Sequence, residues 1–368
     1  MNPSADSMAP HTLMVTGGAG YIGSHMVRQL VRAGHRVVVL DDLSRGNRDA
    51  ITAAAAHAPE RCELVEGSIG DPAALERAFA RGIDAVVHFA ALAYVGESMQ
   101  DPARYYRNNT AGTLSLLEAM HAHGVTRLVF SSTCATYGVP DRLPITEDTP
   151  QHPINPYGAS KLMVERMLAD LAGPHGLDSV ALRYFNASGC APDGSIGERH
   201  DPETHLLPLV LFEALRLRAG GDPERTTLRV FGDDFATRDG TCVRDYVHVE
   251  DLCSAHLLAL QNLFATPGSG SRRYNLGTRN GDTVLEVIEA CRRVTGIDIR
   301  YRVDPRRAGD PPELVADASR VRDELGWQPA YPDVEAAIRH AWDWFCAHPP
   351  PSAPNDSPDC ADTGPPRT

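Results

Sequence analysis

"TLMVTGGAGYIGSHMVRQLVRAGHRVVVLDD", residues 12–42, decides how this chain is to be read. It opens on a short run with strand character, "TLMVTG" (12–17), and passes into "YIGSHMVRQLVRAG" (21–34), whose apolar residues recur at helical spacing. It closes on a second strand, "RVVVLDD" (36–42). Gly17, Gly20 and Gly23 stand at the turn between strand and helix, with Tyr21 and Ile22 among them. Glycines there permit a tight turn and close backbone approach, and the helix N-terminus can then hold a pyrophosphate. The second strand ends in acid, Asp41 then Asp42, at the roughly 20-residue offset where a carboxylate accepts hydrogen bonds from an adenosine ribose. A carboxylate at that place repels a 2′-phosphate, so NAD is expected in preference to NADP. Arg45 is the one nearby residue that argues the other way.

The same rhythm continues. Further strands are expected at "ELVEG" (63–67), "AVVHFA" (85–90), "RLVFSS" (127–132) and "SVALRYF" (179–185). Between them "ARYYRNNTAGTLSLLEAMHAHG" (103–124) and "YGASKLMVERMLADLAG" (157–173) have helical spacing and end in glycine. Apolar strands separated by helices imply an α/β fold, a Rossmann-type doubly wound parallel sheet covered on both faces. After Asn186 the rhythm breaks into a long polar connection, "ASGCAPDGSIGERHDPETH" (187–205). A helix (206–219), a strand "TLRVFG" (227–232), the segment "DYVHVEDLCSAHLLALQNL" (245–263) and a helix (282–295) follow. The expected organisation is therefore a nucleotide-binding domain over 11–186, with a returning segment near 232–262. A smaller mixed α/β substrate-binding domain follows over 187–347, then a disordered Pro/Ser/Asp-rich tail over 348–368.

Composition narrows the class. The 368 residues are 42% apolar and 23% charged, ordinary for a globular enzyme. A net charge of −13 argues against nucleic acid or an anionic membrane as partner. No apolar run is long enough to span a bilayer, and the leader "MNPSADSMAPH" lacks the pattern of a signal peptide, with Met8 an alternative start. The eight cysteines are scattered without C-x-x-C, which suits thiols in a reducing, cytoplasmic compartment. The fifteen histidines contain no H-E-x-x-H, so each reads as an isolated packed or surface residue, and no metal site is expected.

"NPYGASK" (155–161) places Tyr157 and Lys161 one helical turn apart on a shared face. An arbitrary Tyr-x-x-x-Lys is a surface pair. Combined with the glycine turn, this pair resembles that of the extended short-chain dehydrogenase/reductase superfamily, and within it the chain resembles the UDP-glucose 4-epimerases. "HFAALAYVGES" (88–98), "SSTCATYG" (131–138), "INPYGASK" (154–161), "LRYFNASG" (182–189), "DGTCVRDYVHVED" (239–251) and "PRRAGDP" (305–311) carry the likeness, in order, from about Thr12 to the mid-340s.

The resemblance implies an isomerase with tightly bound NAD and a UDP-sugar substrate, working as a homodimer. It makes Tyr157 the general base, with Lys161 holding its pKa down and Thr133 bridging the substrate's 4-hydroxyl in place of the usual serine. Phe89, Ala90, Asn108 and Tyr184 match cofactor contacts, as do Ser68 and Ile69, although Ser68 stands where an acid is usual. Ala93 replaces a lysine of some members. On the substrate side Arg244 and Arg307 match phosphate-binding arginines and Asp310 a ribose contact. Asn186 and Phe231 match substrate contacts, Leu206 lines the uracil side, His205 replaces a common asparagine, and Leu314 borders the sugar. Sugar-nucleotide 4,6-dehydratases share the fold but need an Asp-Glu pair where this chain has Cys134-Ala135. A non-catalytic NAD-sensing protein would have no need of the Tyr157/Lys161 pair.

Overall fold

The computed structural model describes residues 9–307 and 310–350. The tail expected from 348 thus falls outside the described residues from 351 onward.

Six strands appear where the apolar runs place them: β1 (Thr12–Thr16), β2 (Arg36–Asp41), β3 (Cys62–Glu66), β4 (Ala85–His88), β5 (Arg127–Thr133) and β6 (Asp178–Tyr184). A seventh strand, Ser271–Leu276, joins them, and the all-parallel order is Ser271–Leu276, β6, β5, β4, β1, β2, β3. Alternation along each strand sends residues to opposite faces. Leu13, Val15, Val37 and Val39 pack with Met26, Val27 and Leu30 of the helix α1 (Tyr21–Arg32), and with Leu252, Leu260 and Leu263 of the helix Val249–Ala265. Met14, Val38 and Leu40 face the other way, against Leu116 and Met120 of the helix Gly112–Ala122 and Val164 and Leu168 of the helix Pro156–Ala172. The strands are apolar because both faces are covered.

The strand order reverses at β1, whose neighbours are β2 and β4. At such a switch point a crevice opens outside the carboxyl ends of the strands, and ligands bind there. The Gly17 loop follows β1, and Phe89 and Ala90 follow β4, so both line that crevice.

The returning part is longer than the expected 232–262. It contributes a whole helix, Val249–Ala265, and then the sheet-edge strand through Leu276. "SRRYNL" carries two consecutive arginines, which hides its strand character in the sequence. The helix expected over 103–124 is also interrupted: Pro102–Tyr105 and Gly112–Ala122 are joined by a wide π-type turn over Tyr106–Ala111. That turn brings Asn109 inward, where its side chain accepts from Leu92 N (2.8 Å) and donates to Leu92 O (3.0 Å) and Ser160 Oγ (3.0 Å).

The remaining elements form a smaller layer. Helices Leu206–Arg218, Val284–Thr295 and Val334–Ala347 share a core of Val210, Leu211, Val287, Ile288, Ile338 and Phe345. Short strands stitch this layer to the large sheet: Asn186–Ser188 with Tyr246–His248, and Val243–Arg244 between Asp282–Thr283 and Glu313–Leu314.

At the strand end beside the crevice, Gly17 leaves no room for a side chain. Its φ is +71°, and a Cβ would lie 2.6 Å from Ala90 N. Gly17→Ala is expected to cost about 1–3 kcal/mol, as overpacking does, seen as a lower urea midpoint with an unchanged slope. An unaltered midpoint would show that β1 and β4 do not approach so closely.

Candidate active site

The nucleotide end is built from backbone. α1 begins at Gly20 with no side-chain cap and no acid in its first turn, so its N–H groups and positive dipole end are free for an anion. Gly20 keeps one side open: the nearest atom to an added Cβ there is Gly17 O at 3.3 Å. Asp41 ends β2 and is buried. Its carboxylate staples the loop by accepting from Ala19 N and Leu43 N, both at 2.9 Å. Burial raises its pKa, opposed by those two N–H groups. Asp42 is exposed and accepts from Ser44 N at 3.0 Å. Arg45 is committed elsewhere, donating to Asp201 O (3.0 Å) and Glu97 Oε1 (2.8 Å). A free loop, an uncapped helix and an acid at the next strand's end fit a dinucleotide without 2′-phosphate.

Around the rim, Ala90 N donates to Thr16 Oγ1 (3.3 Å), and Phe89 leans on His256 with ring centroids 4.8 Å apart. Tyr21 donates its hydroxyl to Gly189 O, and Ile22 O accepts from Cys253 Sγ at 3.6 Å. Ser68 Oγ accepts from Gly70 N (3.2 Å), and Ile69 packs beneath Gly112. Asn108 donates to Asn109 Oδ1 at 2.9 Å, while Ala93 is exposed.

The chemical end lies where β5 stops. Thr133 pairs in register with Tyr184, and its hydroxyl oxygen accepts from Ala135 N at 3.2 Å. The helix Pro156–Ala172 starts there: Asn155 caps it by accepting from Gly158 N at 2.8 Å, and Pro156 takes its first position. Gly158 lets the helix abut the Thr133 turn, since a Cβ would lie 2.4 Å from Ala135 O. This contact brings Tyr157 beside Thr133, near enough for the threonine hydroxyl to pull the phenol's pKa down.

The electrostatics differ from what the Tyr-x-x-x-Lys pattern leads one to expect. Burial pushes the Tyr157 phenol up to about 12, and the Thr133 hydrogen bond only partly opposes it. Lys161 is turned inward: Nζ donates to Ser131 O at 2.8 Å and lies 4.8 Å from the Phe130 ring centroid. Burial draws its pKa down to about 7, against the pull of Glu165. Tyr184 shares a 2.5 Å hydrogen bond with Ser131 Oγ and stands close to Tyr157. Tyr157 and Lys161 stand one turn apart on the helix Pro156–Ala172, and in the chain alone burial holds the phenol protonated.

On the far side, strand Val243–Arg244 runs beside Glu313–Leu314, pairing Arg244 with Leu314. Arg244 reaches Asp310 Oδ1 at 3.4 Å, and Leu314 packs on a cluster of Cys134, Tyr137, Ile145, Phe185 and Ala316. The guanidinium of Arg307 lies over the Phe231 ring, 3.9 Å from its centroid. Asn186 opens the short strand beside Tyr246, its N donating to Asp245 O at 2.9 Å. Cys134 follows Thr133; burial raises its thiol to about 12, so this position offers neither acid nor base near neutrality.

The model of the NAD dependent epimerase/dehydratase family matches residues 13–277. The chain belongs to that family. It is 50% identical over 341 residues to a UDP-glucose 4-epimerase of Lacticaseibacillus casei, covering 92% of this chain and 98% of that one. It is 44% identical to UDP-arabinose 4-epimerase 1 of Arabidopsis thaliana, covering 91% and 80%. Among solved structures, the UDP-glucose 4-epimerase of Brucella ovis in complex with NAD superposes with a TM-score of 0.83 at 46% identity, covering 91% and 98%.

Two features escape sequence reasoning. His205 does not stand alone: Glu198, His200, Glu203 and His205 bring one donor atom each within 4.8 Å of one another. The expectation that every histidine is isolated is therefore corrected. The signal was the spacing E-x-H-x-x-E-x-H in "ERHDPETH" (198–205), which matches no common ligand motif.

The second is a buried polar network behind Tyr157. Glu165, on the Tyr157 helix, accepts from Arg183 Nε (2.9 Å), Arg183 Nη2 (2.5 Å) and Ser132 Oγ (2.5 Å). Arg183 Nη1 donates to Tyr137 Oη (2.8 Å), and Tyr137 in turn donates to Asn275 Oδ1 (2.7 Å). Arg183→Ala leaves the Glu165 carboxylate buried and unpaired, which is expected to cost about 3–5 kcal/mol. Chemical denaturation measures it; a loss under about 1 kcal/mol, the value of a surface pair, would contradict this placement.

Proposed function

We propose that the chain is a UDP-glucose 4-epimerase, an isomerase that keeps NAD bound and interconverts UDP-galactose and UDP-glucose. The observation that carries it is the placement of Tyr157 beside Thr133 at the end of β5, followed by Cys134 and Ala135, where elimination of water would need an acid and a base. The likeness to curated UDP-glucose 4-epimerases over nearly the full chain supports the same reading.

Bound NAD supplies an acceptor and then donor of hydride for the sugar's C4, by way of a 4-keto sugar, together with the positive charge of its nicotinamide ring. Gly17, Gly20, Tyr21, Ile22 and Gly23 would hold its pyrophosphate side, and Asp41 and Asp42 its adenosine ribose. Ser68, Ile69, Phe89, Ala90, Ala93, Asn108 and Tyr184 would line the rest. Tyr157 Oη takes the proton of the 4-hydroxyl, with Thr133 Oγ1 aligning that hydroxyl. Since burial holds the phenol near 12, its basicity would depend on cationic charge brought beside it, the nicotinamide ring and Lys161 being the candidates. On the substrate side Arg244 and Arg307 suit the diphosphate as guanidinium forks. Asp310 suits the uridine ribose, with Asn186, His205, Leu206 and Phe231 around the nucleotide. Leu314 beside the sugar is of middle size, which favours plain hexoses over N-acetylated ones, since overpacking by an acetamido group costs about 1–3 kcal/mol. The likeness to a UDP-arabinose 4-epimerase keeps pentoses as the second reading.

The division into a nucleotide domain over 11–186 and a substrate domain over 187–347 is proposed on the same footing, with the sugar bound between them. Two exposed apolar side chains support a homodimer: Leu114 on the helix Gly112–Ala122 and Met163 on the helix Pro156–Ala172, 42% and 45% exposed. A cytoplasmic place is proposed from the unpaired thiols of the described cysteines. No described helix is long and apolar enough to cross a membrane.

Purified protein given UDP-galactose and no added cofactor is expected to form UDP-glucose. A 4-keto-6-deoxy product would make it a dehydratase, and stoichiometric NADH a dehydrogenase. Running UDP-N-acetylglucosamine and a UDP-pentose alongside ranks the sugars. Tyr157→Phe is expected to lower turnover by about 10²–10⁴-fold with NAD still bound; near-normal turnover would remove Tyr157 from the role of base. Light scattering at micromolar concentration is expected to give twice the chain mass, and a monomer mass would refute the dimer.

A further inference from the structure

The connection between strand Asn186–Ser188 and helix Leu206–Arg218 ends in the four-residue cluster of Glu198, His200, Glu203 and His205. Its geometry is specific. His200 Nδ1 lies 3.1 Å from Glu198 Oε1 and 3.4 Å from Glu203 Oε2. His205 Nδ1 lies 3.2 Å from Glu198 Oε1 and 2.8 Å from Glu203 Oε1. Both imidazoles thus turn the same ring nitrogen toward the same two carboxylates.

Hydrogen bonding does not fully account for this arrangement. Glu203 Oε1 already accepts from Thr204 N and His205 N, at 2.7 and 2.8 Å, as well as from the His205 ring. His200 Nδ1 is buried and has no aligned hydrogen-bond partner, although two carboxylates lie within ion-pair reach. Without an ion the two ring nitrogens meet the carboxylates as N–H donors, and a bound divalent cation would take the place of those protons. Four N/O donors at about 2.0–2.2 Å from a tetrahedral zinc ion stand roughly 3.3–3.6 Å from one another; the four donors here, one per residue, lie within 4.8 Å, so side-chain rotations alone would have to close them on an ion. Two carboxylates and two neutral imidazoles also neutralise a divalent ion.

We propose that Glu198, His200, Glu203 and His205 bind a divalent transition-metal ion of the zinc class, as a structural clamp. The ion closes the 198–205 segment on itself and fixes the start of helix Leu206–Arg218, of which His205 is the N-cap. The clamp sits against the nucleotide end: the His200 ring is edge-on to Tyr21 at 5.9 Å and to Tyr94 at 6.1 Å. None of these contacts is with Tyr157 or Thr133, so the clamp takes no part in proton transfer; it shares only His205 with the residues placed around the nucleotide above, and the test below reads metal uptake, not activity. Four protein ligands complete a tetrahedron and leave no open position, which distinguishes structural from catalytic zinc sites.

The test uses the full chain without a histidine tag, stripped with a chelator, with Co²⁺ as the spectroscopic probe and Zn²⁺ as competitor. The expected result is about one Co²⁺ per chain, with the intense visible absorption of a four-coordinate ion, displaced by Zn²⁺. Zn²⁺ is also expected to raise the melting temperature of the wild-type protein. Glu198→Gln and His200→Asn should each weaken uptake by at least about tenfold. Absence of the four-coordinate spectrum in the wild-type chain, or its persistence in both variants, would overturn the proposal. Should the variants not fold, wild-type crystals grown with Zn²⁺ and measured on both sides of its absorption edge decide the matter. An anomalous peak among the four side chains supports the clamp, and its absence there ends the proposal.

Discussion

The ion pair of Glu165 and Arg183 is the contact on which the site depends. Neither charge can be left alone where it sits, since the Arg183 side chain is 1% exposed and that of Glu165 9%. Each therefore finds its full complement: Glu165 takes two guanidinium nitrogens and a serine hydroxyl, and Arg183 adds Tyr137 and the Glu147 carbonyl. A buried pair of this kind adds little net stability over apolar residues of the same volume, but it fixes geometry. Here it fixes the helix that carries Tyr157 and Lys161 against the strands that carry Thr133 and Tyr184. A slide of one residue along that helix would turn Tyr157 away from Thr133 and leave both charges unpaired.

Burial sets the tone of the chemistry as well. Tyr157 and Lys161 lie where charge is costly, so the phenol is held protonated and the ammonium is drawn toward neutrality. The pocket in the chain alone favours the uncharged form of both groups. Such a pair responds strongly to any charge brought beside it, because the surrounding dielectric is low. In the proposed reaction, proton affinity at Tyr157 would then follow the charge of whatever is bound beside it.

Much of this was legible in the residues. Six parallel strands could be read because most carry an apolar stretch covered on both faces, Val37 to Leu40 being the clearest, while β3 is only partly buried. The glycine turn could be read because few other residues fit where Gly17 meets Ala90. The edge strand Ser271–Leu276 could not, since Arg272 and Arg273 break its apolar pattern and only its last three residues are buried. The Glu165–Arg183 pair was hidden for another reason: charged residues on a helix and a strand carry no mark of burial, and their meeting is set by tertiary packing. Asn109 carries no mark beside Asn108, because a regular helix would not turn it inward. The 198–205 cluster reads as a polar loop, its spacing being that of no familiar ligand set.

The seventh strand has a consequence for how the chain comes to be folded. While the polypeptide emerges from the ribosome, the first six strands can collapse in order, but β6 stays an open sheet edge until Ser271–Leu276 has been made. Nearly three-quarters of the chain has been synthesised by then, and what has emerged carries an unpaired hydrogen-bonding edge, the surface on which other chains aggregate. The helix Val249–Ala265 is synthesised just ahead of that strand and covers the apolar face beside it. Vectorial synthesis thus ends the exposure of the face and then of the edge within some thirty residues, and nascent chains stalled before Leu276 are the ones most in need of a chaperone.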